Sequence, residues 1–106
     1  MSHDTNVVLL VGRLAGPVER RRHPMAGIDS ARFEVSVRSP GPPPRVDVLP
    51  VVWWDPPPGF EDTAVGTVVQ VAGGVRRRFR ATEDGRTSRL DLVAGHVEPL
   101  APRSRS

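Results

Sequence analysis

Two glycines in succession, Gly73-Gly74, interrupt the run Val68-Val69-Gln70-Val71-Ala72, which is otherwise β-branched and apolar. The residues before the pair have the composition of a strand entering a core. Paired glycines inside a strand permit the sharp bend or bulge on which a small barrel closes. Beyond them the chain continues Val75-Arg76-Arg77-Arg78-Phe79-Arg80, turns at Glu83-Asp84-Gly85 and returns as Thr87-Ser88-Arg89-Leu90-Asp91-Leu92. Asp-Gly between two such runs is a hairpin signal. Side chains alternate across a strand, so Val75, Arg77 and Phe79 are predicted on one face and Arg76, Arg78 and Arg80 on the other. A comb of guanidiniums suits phosphate, which accepts paired N–H donors from a planar fork.

The preceding chain supplies three more strands. Asn6-Val7-Val8-Leu9-Leu10-Val11-Gly12-Arg13-Leu14 is too short for a typical helix and reads as a strand buried on both faces or paired with another subunit. Val18–Arg22 is a short basic segment, with Arg20–Arg22 expected in a loop as solubilising or phosphate-contacting groups. In Ala31–Arg38 alternation puts Ala31, Phe33, Val35 and Val37 inward and Arg32, Glu34, Ser36 and Arg38 outward. Ser39–Pro44 is a stiff proline loop, and Asp47–Trp54 is the next strand, with Pro50 at an edge or bulge. Phe60–Val65 has room for one or two helical turns before Gly66. The twelve prolines and ten glycines argue for turns over long helices. These features predict an all-β fold, a five-stranded Greek-key barrel with at most a short helix between strands three and four.

A chain of 106 residues makes one domain with one modest core. Residues 1–5 are expected as a flexible N-terminus, 6–100 as the binding domain and 101–106 as a short basic tail. The formal charge is +3, and all fifteen basic residues are arginine. A GC-rich coding sequence accounts for arginine in place of lysine. It does not account for four arginines within Arg76–Arg80, and that clustering points to a polyanion. No apolar run reaches membrane-spanning length and no signal-peptide pattern opens the chain, so a soluble cytoplasmic protein is expected.

Catalytic readings find little to stand on. With no cysteine, disulfides, thiolate chemistry and cysteine-ligated zinc are excluded together. His3, His23 and His96 lack metal-ligand spacing, and His96-Val97-Glu98 is not followed by the paired cysteines of a zinc deaminase. Gly12-Arg13-Leu14-Ala15-Gly16 lacks the ending of a phosphate-binding loop, and no serine sits in a nucleophile elbow. The expectation is no catalysis, no metal and no cofactor.

Three stretches, in order, resemble the bacterial single-stranded DNA-binding protein (SSB) family, an OB-fold family. They are Asn6–Leu14, Ala31–Val37, and Val69–Arg78 with the Asp84-Gly85-Arg86 turn. The resemblance implies a basic groove that binds backbone phosphates and stacks bases on aromatics. Arg76 and Arg78 fall where the family places basic groups on its hairpin, and Trp54 falls on the aromatic that ends its third strand. Arg80 and Val48 stand at two tryptophan positions of the family, so one stacking platform is kept and two are lost. That shifts the expected affinity toward electrostatics. The shortened segment before the hairpin, the third strand Val48–Val52 and an ending Pro102-Arg103-Ser104-Arg105-Ser106 without an acidic C-terminal tip also resemble PriB-type primosomal proteins. Both types stay open at this point.

The resemblance therefore implies sequence-independent binding of single-stranded DNA, or RNA, in replication, recombination or repair, at the nucleoid and as a homodimer or homotetramer. Trp54, Arg76, Arg78, Arg80, Arg32 and Arg38 form the candidate nucleic-acid-binding set. Since neighbours on a strand point oppositely, Trp53 and Trp54 cannot both be buried in one core. A rival reading is an adaptor OB-fold acting through proteins, with Val7–Val11 and the Trp53/Trp54 surface as interfaces.

Overall fold

Alternating apolar residues decide which strands close around the core. The computed structural model describes residues 4–100, apart from the side chains of Arg78, Arg80 and Thr82. Residues 1–3 of the expected N-terminal segment and the whole basic tail at 101–106 lie outside the described residues. The strands are β1 (Val8–Leu14), β2 (Glu19–His23), β3 (Ile28–Ser39), β4 (Arg45–Trp54), β5 (Val68–Thr82) and β6 (Gly85–Pro99). They form one sheet in the order β1-β5-β6-β4-β3-β2, and β1 also pairs with β3. That last pairing shuts β1, β5, β6, β4 and β3 into a five-stranded barrel. All ladders are antiparallel except β4 with β6. This is the OB-fold architecture.

One expectation is corrected. Arg20–Arg22 are not in a loop; they belong to β2, which pairs with β3 from Glu19↔Arg32 to His23↔Ile28 and hangs on the barrel as a sixth strand. The segment has no apolar alternation to mark it. It is extended because β3 overruns the barrel and offers it a free edge.

Leu14, Ala31, Phe33, Val35, Val51, Trp53, Val69, Val71, Ala94 and Val97 fill the interior. Ala94 and Val97 both point inward although they are three positions apart, which a regular strand forbids. The explanation is a bulge: Ala72 pairs with His96 and Gly73 with Ala94, leaving Gly95 as an extra residue that turns the following side chains over. The irregularity sits beside Gly73, but the extra residue is on the facing strand. A Cβ on Gly73 would collide with the Val93 carbonyl oxygen, so only glycine lets β5 and β6 approach there.

The segment between β4 and β5 holds a single 3₁₀ turn, Phe60–Asp62, entered through Gly59 at φ 88°. Phe60 plugs the barrel, its ring edge-on to Trp53 at 4.9 Å and to Phe33 at 5.2 Å between centroids. At the other end, the Asn6 side chain donates to the Val75 carbonyl at 2.7 Å and accepts from the Val75 N–H at 2.8 Å. This amide stands in for one more rung of the β1–β5 ladder.

Candidate nucleic-acid interface

Adjacent positions at the end of β4 separate the two indoles. Trp53 is 8% exposed and lies in the core, whereas Trp54 is 40% exposed on the outside of the barrel. The Trp54 ring lies 4.8 Å from the His23 ring at a tilt of 49°. His23 is itself fixed by a 2.8 Å hydrogen bond between its Nε2 and the Ser30 Oγ.

Around this pair runs a cavity of about 190 Å³ built by five strands. β2 contributes Arg21 and His23, β3 Ser30 and Arg32, β4 Val52 and Trp54, β5 Arg76, and β6 Asp91 and Val93. A second cavity runs on toward Arg89 and the loop between β1 and β2, and it shares Arg32, Val52 and Asp91 with the first. Together they make one groove. Its cations come from separate strands, so no single helix or loop movement can withdraw them all.

The floor of the groove is where the two long hairpins meet. β4 and β6 touch there through three parallel pairs, Val51↔Leu92, Val52↔Val93 and Trp53↔Ala94. Their outward side chains, Val52 and Val93, give the groove an apolar base. Arg21, Arg32, Arg76 and Arg89 line it together with Glu19 and Glu34 at its second-cavity end, and Asp91 is buried in it at 5% exposure.

Of the residues singled out from sequence, Trp54, Arg32 and Arg76 come together in this groove. Arg78 and Arg80 stand two and four residues beyond Arg76 along β5, with side chains outside the described part. Arg38 lies six residues beyond Arg32 along β3, about 20 Å at strand spacing, and lines neither cavity. At Arg76, Arg77 and Phe79 the hairpin alternates as its sequence implies. Arg77 turns away from the groove and its Nη1 donates to Ser88 Oγ at 3.0 Å, while Phe79 is exposed on that same far side beneath the Arg86 guanidinium.

His23, Ser30, Arg89 and Asp91 were outside the candidate set, and Arg21 was expected as a solubilising or phosphate-contacting group, but in a loop. A signal existed for two of them. Counting back from the Asp84-Gly85 turn sets Arg89 opposite Arg78 and Asp91 opposite Arg76. The β2 residues had none, because nothing in Glu-Arg-Arg-Arg-His marks a strand.

Arg20 is the arginine that the structure keeps for itself. Its Nε donates to Asp29 Oδ2 at 2.7 Å, and its Nη1 donates to Glu61 Oε1 at 3.0 Å and to the Pro57 carbonyl. Arg22 adds a 3.1 Å contact to the other Asp29 oxygen. Hydrogen bonds from Arg20 and then Arg22 hold the Asp29 carboxyl below the ordinary carboxylate range, and the bond to Asp29 raises the Arg20 guanidinium further.

Fold and groove define an OB-fold barrel with an aromatic beside a row of cations. Solved structures agree on that architecture. The chain is similar to Plasmodium falciparum SSB in complex with ssDNA, at a TM-score of 0.79 and 16% identity over 95% of this chain and 99% of that one. It is also similar to a dimeric structure of the N-terminal domain of the PriB protein from Thermoanaerobacter tencongensis, at a TM-score of 0.65 and 24% identity over 92% of this chain and 98% of that one. SSB and PriB, the two types that the sequence resembles, are thus both among its structural neighbours. No protein-family model matches the sequence, and no curated protein does. Among the described residues no group of three or more His, Asp or Glu side chains is placed to hold a metal ion, and no helix is long and apolar enough to cross a membrane.

Proposed function

We propose that this chain binds single-stranded DNA in its groove, without catalysis and largely without regard to sequence. The observation that carries the reading is the exposed Trp54 indole lying in one groove with Arg21, Arg32 and Arg76. Phosphates track the guanidiniums, with Arg78, Arg80 and Arg89 extending the path along the hairpin, while a base stacks on Trp54. A single strand suits this surface better than a duplex, because only unstacked bases can reach a lone indole. The role supported is protection or handling of exposed strands in replication, recombination or repair, in the cytoplasm at the nucleoid, with RNA as the competing ligand.

Titration with poly(dT) over a series of salt concentrations tests this reading. Trp53 is shielded in the core, so quenching of intrinsic fluorescence reports on Trp54. Trp54→Ala is expected to weaken binding by about 1–3 kcal/mol. The plot of log K against log salt is expected to fall with a slope of about −0.7 per phosphate contacted, near −2 for Arg21, Arg32 and Arg76 alone. A flat salt response, or Trp54→Ala binding as the wild type does, refutes the mechanism.

The chain also assembles with itself in this reading. Along Val8–Gly12, β1 has β5 on one side only, and Val7, Leu9 and Val11 form an exposed apolar row beside that open edge. The PriB domain that it resembles is dimeric. The expected mass in solution is that of a homodimer or homotetramer, and Leu9→Glu is expected to yield monomers. A wild-type monomer at micromolar concentration removes self-assembly from the proposal. The adaptor alternative keeps Val7, Leu9, Val11 and Trp54 as exposed surface, while Trp53 is in the core.

A further inference from the structure

Beyond the barrel the β5–β6 ladder carries on alone. From Arg77↔Leu90 to Thr82↔Gly85 no third strand pairs with it among the described residues, and the described side chains there are exposed. The ribbon therefore has two faces to present. One continues the groove. The other prolongs the side of β5 that carries Val69 and Val71 into the core, and here that side has left the core behind. Cross-strand partners share a face, so it bears Arg77 with Leu90, Phe79 with Ser88, and Ala81 with Arg86. Phe79 is 62% exposed and Leu90 53%, and the Arg86 guanidinium stands 5.2 Å from the Phe79 ring centroid. No acid occupies a strand position on this face, since Glu83 and Asp84 belong to the turn.

We propose that Phe79 is a second stacking platform for the same nucleic acid, on the face of the hairpin turned away from the groove, and that the bound strand folds over the ribbon to reach it; the inference rests on the single-strand reading above. A phenyl ring and a guanidinium plane each accept a stacked base, and phosphates on either side of that base meet Arg77 and Arg86. The detour is short, because the two strands of the ribbon lie only about 5 Å apart. A second copy of this chain suits the face less well. A two-fold contact puts the same patch on both sides, so Arg77 and Arg86 would meet their own counterparts, and like charges repel. A polyanion with flat bases satisfies cation and ring together. The hairpin thus stands between two stretches of one strand, one against Trp54 and the other against Phe79.

The test uses the full chain with oligothymidylates of about six and about sixteen nucleotides, toward the two ends of the span of one OB barrel. Phe79→Ala removes an exposed ring and no core contact. It is expected to leave the short strand bound as tightly as before and to weaken the long one roughly 5- to 150-fold, the range for one stacked base. Arg86→Gln should also weaken the long strand, and lower the slope of its salt dependence by about 0.7. The path is read in a Trp54→Phe, Phe79→Trp double variant, whose one exposed indole lies at position 79. The long strand should quench it and the short one should not. Unchanged binding of the long strand by Phe79→Ala, an equal loss at both lengths, or no quenching in the double variant while the long strand binds overturns the platform and leaves the groove reading intact. A fall in solution mass on Phe79→Ala, with long-strand affinity kept, gives the face to a second copy and overturns it too. No binding of either strand by the wild type overturns strand binding itself, and this inference with it.

Discussion

Arg20 and Arg21 are neighbours with opposite employments. The two side chains leave β2 on opposite faces, as strand geometry requires. Arg21 faces the groove, while Arg20 ties β2 to Asp29 of β3 and to Glu61 of the 3₁₀ turn. The groove wall that carries Arg21 and His23 is therefore held in place by a residue on the opposite face of β2. Acid should release it. Asp29 is more acidic in the folded chain than in the unfolded one, so its contribution is present above the unfolded carboxylate pKa and is lost as pH falls through the folded one. Urea melts across the acid range should show wild-type stability dropping below the ordinary carboxylate range. Asp29→Asn should begin less stable near neutrality and respond less to that same drop. Parallel pH profiles for the two proteins speak against the coupling.

At the scale of elements, the 3₁₀ turn does the work of a longer plug. A turn of three residues closes only a few hydrogen bonds, such as Asp62 N–H to the Gly59 carbonyl and Thr63 N–H to the Phe60 carbonyl, both at 3.0 Å, so the buried ring that it delivers is its main anchor. Phe60→Ala should destabilise the fold by about 3–5 kcal/mol, the usual range for removing a core phenylalanine. Thermal or chemical melts check this, and a loss below about 1 kcal/mol would place the barrel's closure elsewhere. The strands that close the barrel were legible wherever one face is apolar and the other polar. β3 is the clearest case, with Ala31, Phe33 and Val35 buried and Arg32 and Glu34 exposed between them. The irregularity beside Gly73 was also legible, although its extra residue falls on the facing strand, because paired glycines inside a β-branched run have few other uses. Two things were not. β2 owes its conformation to the β3 edge it pairs with, and Arg20 ties it further to Asp29 and to Glu61, 41 residues away, a distance over which no local pattern operates. The inward turn of Val97 depends on Gly95, a lone glycine whose bulge shows only once the ladder from the Asp84-Gly85 turn is counted. The site followed the same rule. Trp54, Arg32 and Arg76 were readable from alternation and Asp91 from the hairpin count, whereas Arg21 and His23 needed the pairing of β2 with β3.

On the scale of the whole molecule, the connections are unequal. β5 and β6 pair from Val69↔Pro99 to Thr82↔Gly85, and β3 and β4 pair from Ser30↔Trp54 to Ser39↔Arg45. By contrast, β1 meets β3 at only Arg13↔Ser36 and Leu14↔Val35, helped by the Ala15 N–H donating to the Glu34 carbonyl at 2.8 Å. Native-state hydrogen exchange should find this seam opening first: the Ala15 amide is expected to report a lower opening free energy than amides in the middle of the β3–β4 ladder. Equal protection at both places would mean that the barrel opens as one unit. The same inequality bears on how a strand is gripped. The groove lies over the three-pair junction of β4 with β6, and the two long ribbons spread from it like the arms of a pair of tongs. Flexing such a joint by a few degrees at the pivot moves the tips much further than the base. In the proposed binding mode, the hairpin ends thus adjust to sugar pucker and kinks in the chain, while the indole at the fulcrum stays still.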